Sequence, residues 1–178
     1  MLDKQLFQQQ LAALPVFQYV FCRTEELVFS ERVREICKSQ CPMYHKSWSC
    51  PPAVGTFSEC KEKCLSYPEA LILTTAAEVN DPADMSQTLV TRAGHEKTVR
   101  QAAELLKAQN QQVFVLSAEA CTRCERCTWP DGPCRQADRM TPCIESHGIL
   151  ATDLAEKCQL PFLNERMVVW YAVLFYKD

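Results

Sequence analysis

Cys121-x2-Cys124-x2-Cys127-x6-Cys134 sets four thiols within fourteen residues, and Arg, Trp, Pro and Gly lie between them in place of core-forming side chains. Such a segment reads as a ligand loop. Zinc sites usually take two pairs of ligands from separate C-x2-C turns around one small ion, whereas three cysteines at successive x2 spacings wrap a broader object. Bacterial cubane loops use C-x2-C-x2-C and a more distant fourth cysteine, and here the fourth follows at x6 rather than x3. The spacing predicts a [4Fe–4S] cluster on Cys121, Cys124, Cys127 and Cys134, with zinc as the alternative metal.

Twelve of the 178 residues are cysteine. A chain of this length buries most of its apolar surface without covalent staples, so disulfides are not needed for folding. The start, Met1-Leu2-Asp3-Lys4-Gln5 followed by a Gln-rich stretch, carries no apolar secretory segment, and the expected location is the cytoplasm. Thiols there stay reduced unless they are catalytic or bound to metal. The longest apolar run, Met167 to Tyr176, falls short of the roughly 20 residues that span a bilayer, so no membrane span is expected. A formal charge of -3 and no long Lys/Arg run give no footprint for nucleic acid or an anionic membrane surface.

A second group reads Cys37-x3-Cys41-x8-Cys50-Pro51-Pro52, with Cys60 and Cys64 downstream. Proline after the last cysteine fixes φ and turns the chain away, as where a cluster loop leaves its metal. Trp48 and Tyr44 are candidates to shield this site. The competing reading makes Cys37 and Cys41 small buried hydrophobes of one helix face. Five cysteines in 28 residues exceed what packing demands. Cys22 and Cys158 stand alone and read as packing residues.

At these residues the sequence resembles a family of small cysteine-rich proteins of anaerobic bacteria and archaea, described only as a predicted metal-binding domain of unknown function. The resemblance rests on REICKSQCPMYHKSWSCPP from Arg34 to Pro52, on CTRCERCTWPDGPCR from Cys121 to Arg135, and on PCIESHGI from Pro142 to Ile149. It implies ligands at Cys37, Cys41, Cys50, Cys121, Cys124, Cys127 and Cys134. It leaves Cys60, Cys64 and Cys143 unfixed and brings no reaction with it.

Helix geometry favours Cys60 as fourth ligand of the first group. The capping box Thr56 to Glu59 puts it at the start of a helix, where free N–H groups and the macrodipole favour a thiolate. Cys64 lies one turn deeper on the same face. Cys143, just after Pro142, also opens a helix and is the second choice. His45, inside the first loop, reads as an exposed loop histidine, and His95 and His147 as structural or surface residues. Arg123, Arg126 and Arg135 read equally as solvated loop charge and as positive charge offsetting an anionic cluster. Four glycines and no phosphate-cradling loop argue against a nucleotide fold, and no hydrolase triad stands out.

Strand signals at 16–21, 70–75, 113–116 and 168–175 alternate with helix signals after Ser30, Thr56, Asp84, Thr141 and Thr152. On the third of these helices Leu89, Ala93, Val99, Ala102, Ala103 and Leu106 fall on one side, and Gly94 marks a kink. The fold class expected is α/β: a single domain of residues 1–178 with a mixed sheet of about four strands, flanking helices and two cysteine-rich metal loops. The leading functional expectation is an electron-transfer or redox accessory protein with two [4Fe–4S] clusters serving a redox partner protein. The alternatives are an enzyme using three ligands, Cys37, Cys41 and Cys50, with one iron open to substrate, and a zinc-stabilised interaction module.

Overall fold

The computed structural model describes residues 1–159 and 166–178. Helix α1 (Lys4–Leu11) leads into strand β1 (Gln18–Arg23), followed by α2 (Glu31–Gln40), α3 (Phe57–Leu65) and β2 (Glu69–Glu78). The long α4 (Met85–Ala108) then precedes β3 (Gln112–Ser117), and after the second cysteine loop come α5 (Ala151–Cys158) and β4 (Met167–Lys177). The α/β class and the four strands agree with the sequence reading. The sheet is not mixed, however. Its order is β1-β2-β4-β3 and every pair of neighbours is antiparallel. The last strand inserts between β2 and β3, so the two strands joined by the α4 crossover never pair with each other.

This insertion explains the unbroken apolar runs of β2 and β4, which are central strands covered on both faces. Because side chains alternate across a strand, Ile72, Tyr171, Val173 and Phe175 face one layer with Cys64 of α3, Leu154 and Cys158 of α5, and Ile144 and Ile149. Leu71, Leu73, Leu174 and Tyr176 face the other layer with Phe7 and Leu11 of α1 and Val99, Ala102 and Leu106 of α4. Each fully buried Leu, Ile or Phe contributes about 1.5–3 kcal/mol of transfer free energy.

Helix α4 departs from the expected stripe in its first half. Leu89 is exposed, and the buried residues there are Thr88, Arg92 and His95. The polar side chains are buried because each has a partner: His95 bridges the Thr75 hydroxyl (2.9 Å) and the Tyr171 carbonyl (3.2 Å), and Arg92 donates to the Ala120 carbonyl and pairs with Glu96. Burial holds His95 down at about 4, so the ring is neutral. The helix runs through Gly94 without a break. Asp84 caps it as expected, accepting from the Ser86 and Gln87 amides. Among the described residues no helix is long and apolar enough to cross a membrane.

Candidate metal centre

Cys37 lies in the last turns of α2, and Cys41 follows as the residue that ends it, its amide donating to the Cys37 carbonyl at 3.3 Å. The chain then turns through residues 42–49 to the buried Cys50, and the Pro51–Pro52 peptide beyond it is cis. Ser30 and Gly148 hold this unit against the 143–149 segment, since the Ser30 amide donates to the Gly148 carbonyl at 2.8 Å. Gly148 sits at φ 79°, where a Cβ would lie 2.4 Å from the Phe57 ring, so only glycine fits the contact.

Cys143 reaches the first group from across the fold. A single parallel bridge joins it to Ser117 at the end of β3: the Ser117 amide donates to the Pro142 carbonyl (3.1 Å) and the Ile144 amide to the Ser117 carbonyl (3.0 Å). Cys37, Cys41, Cys50 and Cys143 line one cavity of about 380 Å³ together with Glu145, Met43, Val33 and Trp170. The Ser146 amide donates to the Cys143 sulfur at 3.3 Å. Cys50 and Cys143 are neighbours, and the influence of Cys143 lowers Cys50 to about 7 while that of Cys50 raises Cys143. Burial pushes Cys37 up to about 11 and Glu145 up to about 7, which marks a pocket that resists uncompensated negative charge. A cation held by the thiolates would supply that compensation.

Cys60, the choice made from helix geometry, stands elsewhere. The capping box is present as expected, but it already satisfies the donors that were to favour a thiolate. The Glu59 amide goes to the Thr56 hydroxyl (3.3 Å), the Thr56 amide to the Glu59 carboxylate (2.7 Å) and the Cys60 amide to the Thr56 carbonyl (3.1 Å). The Cys60 thiol donates to the Val54 carbonyl at 3.4 Å and receives Arg34 Nη1 at 3.5 Å, and burial raises it. Cys64 is packed in the sheet-facing core with Cys22 and Cys158, and burial pushes these thiols up to about 12, 11 and 11. They are neutral packing groups. Arg34 also donates to the Ser146 and Gly55 carbonyls, both at 2.7 Å, tying α2 to the Cys143 segment.

The second loop has no regular secondary structure, and its four thiols are half-buried. Cys121, Cys124, Cys127 and Cys134 line one small cavity with Ser47, Trp48 and Gln136. Burial acts to raise the Cys127 thiol, but the Trp129, Trp48 and Thr128 amides and the Ser47 hydroxyl outweigh it, and the thiol is lowered. The Trp48 amide stands 3.4 Å from that sulfur, and Gln136 Nε2 stands 3.7 Å from the Cys124 sulfur. Trp48 therefore shields the second group rather than its own. Its indole donates to the Gly132 carbonyl (3.0 Å) and its ring meets Trp129 edge-on at 4.7 Å. The arginines brace the loop: Arg135 donates to the Arg126 carbonyl, and Arg123 to the Arg139 carbonyl at 3.1 Å.

His45 is an exposed loop residue, as expected, at φ 61°. His147 is buried and neutral, held at about 3 by burial, so it supplies no charge to a helix end. Sequence reasoning missed Ser47, Ser49 and Glu145. The Ser-Trp-Ser-Cys run before Pro51 was the available signal for the first two, since polar residues flanking an aromatic in a ligand loop have few other uses.

Among the described residues no set of three or more His, Cys, Asp or Glu side chains is drawn close enough to hold one metal ion. The donor chemistry nevertheless fits a thiolate-bound group in both places: four thiols line each cavity, and amides donate to Cys127 and Cys143. Searches of curated proteins and of solved structures return no match. The family described as predicted metal-binding protein (DUF2284) matches residues 21–176, and the chain belongs to that family.

Proposed function

We propose that this chain is an iron–sulfur protein with two [4Fe–4S] clusters, one on Cys37, Cys41, Cys50 and Cys143 and one on Cys121, Cys124, Cys127 and Cys134. It acts as an electron carrier or redox accessory to a partner protein in the cytoplasm, within one domain of residues 1–178. The observation that carries the reading is the arrival of Cys143 beside Cys50, which gives the first group the same number of thiols as the second. The clusters supply one-electron redox chemistry when bound. The chain's own groups do the rest: amides of Trp48 and Ser146 donate to thiolate sulfur, and Val33, Met43 and Trp170 give the first pocket an apolar wall.

The four half-buried thiols of the second loop suit the side that faces a partner, and in the first group Cys37, Cys50 and Cys143 are buried while Cys41 is exposed. An enzyme with an open iron requires only three ligands in the first group, and a fourth thiol in the same cavity argues against it. Anaerobic purification followed by iron, sulfide and zinc analysis tests the proposal. A brown protein with about eight irons per chain is expected for two four-iron clusters. A colourless protein with stoichiometric zinc refutes it.

A further inference from the structure

The two cysteine groups are joined by one short piece of chain, and its contacts go beyond packing. Ser47, Ser49 and Cys50 are buried, although two of them are polar. The Ser49 hydroxyl accepts from the Cys121 amide at 2.8 Å, stands 2.9 Å from the Ser47 hydroxyl and lies 3.7 Å from the Cys50 sulfur. One residue back, the Trp48 amide donates to the Cys127 sulfur at 3.4 Å. A single oxygen atom thus touches the backbone of a ligand in one group and the sulfur of a ligand in the other. A hydroxyl has one proton to give and two lone pairs to accept with, so the Ser49 proton is available to Cys50 or Ser47 while its oxygen holds Cys121.

We infer that the Ser47–Cys50 segment couples the two centres, with Ser49 as the positioning residue for both. The inference rests on the two-cluster reading above. In the coupled pair one electron passes from the reduced second centre to the oxidised first. The second loses one electron and the first gains one, no bond forms or breaks, and a one-electron donor protein restores the second. Ser49 tunes this exchange from both ends. Its O–H beside Cys50 favours the more negative, reduced state of the first centre, and its acceptance of the Cys121 N–H fixes the backbone of the second.

The test uses the full-length holoprotein, anaerobically loaded, with iron counted before any redox measurement and dithionite as the reductant. In the fully reduced wild type, paramagnetic resonance is expected to show spin–spin splitting between the two centres. Ser49→Ala should keep about eight irons yet lower the first centre's reduction equilibrium by about tenfold, about 59 mV for one electron. It should shift the second centre as well, and Ser49→Thr, which restores the hydroxyl, should return both. Eight irons with two isolated signals in the wild type, or a Ser49→Ala variant in which either potential stays put, overturns the coupling and leaves the two-cluster reading intact. A wild type without iron overturns the two-cluster reading instead. Should Ser49→Ala fail to take up iron, the wild-type spectrum decides alone.

Discussion

Replacing Cys143 by alanine separates the two candidate fourth ligands of the first centre. The side chain is 7% exposed, and its sulfur accepts from the Ser146 amide at 3.3 Å. Truncation removes one of the four thiols lining the first cavity and touches none in the second. Iron should fall from about eight per chain to about four, because a cubane needs its cysteine ligands and the two groups bind separately. The stranded Ser146 amide adds about 1–3 kcal/mol of destabilisation. Alanine is chosen over serine because it leaves no oxygen to bind iron. The parallel variant, Cys60→Ala, removes the hydrogen bonds to Arg34 and Val54. It should keep about eight irons and cost about 1 kcal/mol, the ordinary size of a point substitution. Iron and sulfide analysis after anaerobic reconstitution reads the first quantity, and denaturant unfolding of the metal-free forms reads the second. Full iron in Cys143→Ala with half in Cys60→Ala refutes the argument from geometry and restores the helix-start argument. Full iron in both points to a first centre with only three protein ligands.

Cys124→Ala should empty the second centre and destabilise the loop, since metal binding is coupled to folding, while Cys22→Ala leaves iron unchanged; equal loss in the two variants contradicts the division into ligands and packing residues. Gly148→Ala should lower the melting temperature through both its left-handed φ of 79° and the 2.4 Å approach to Phe57, by the equivalent of about 1–3 kcal/mol; an unchanged melting temperature would show that the Ser30–Gly148 contact does not hold the site. His95, neutral in the fold at about 4 against an ordinary 6.5, binds its proton more readily once unfolded, so its contribution is full above pH 6.5 and is lost as the pH falls from 6.5 to 4. That loss amounts to roughly 3 kcal/mol, and the stability profile of metal-free His95→Gln should be flatter than the parent's by this amount across that window; parallel profiles would place the acid sensitivity elsewhere.

Local rules read much of the chain correctly. Thr56 and Glu59 form their capping box and Asp84 its cap, because these contacts span three residues and need no tertiary help. The four strands were visible as apolar runs, although β1 starts two residues later than its first β-branched residue, with Val16 left in the turn that leads into it. The α4 stripe failed at Leu89 because His95 and Arg92 find buried partners on β2, β4 and the Ala120 carbonyl, none of them near in sequence.

The second cysteine group is a matter of sequence: four thiols within fourteen residues share one loop wherever that loop is placed, and spacing alone selects them. The first group is not. Cys37, Cys41 and Cys50 follow from a helix end and a turn, but the fourth thiol arrives over a stretch of 93 residues from Cys50 to Cys143. It does so because β4 takes the place between β2 and β3, leaving the outer edge of β3 free to bridge Ser117 to Cys143. Pairing across a sheet depends on which strands become neighbours, and no local propensity encodes that order. The sequence therefore determined that cysteines gather in two groups, and the strand order decided which further thiol shares the cavity of the first.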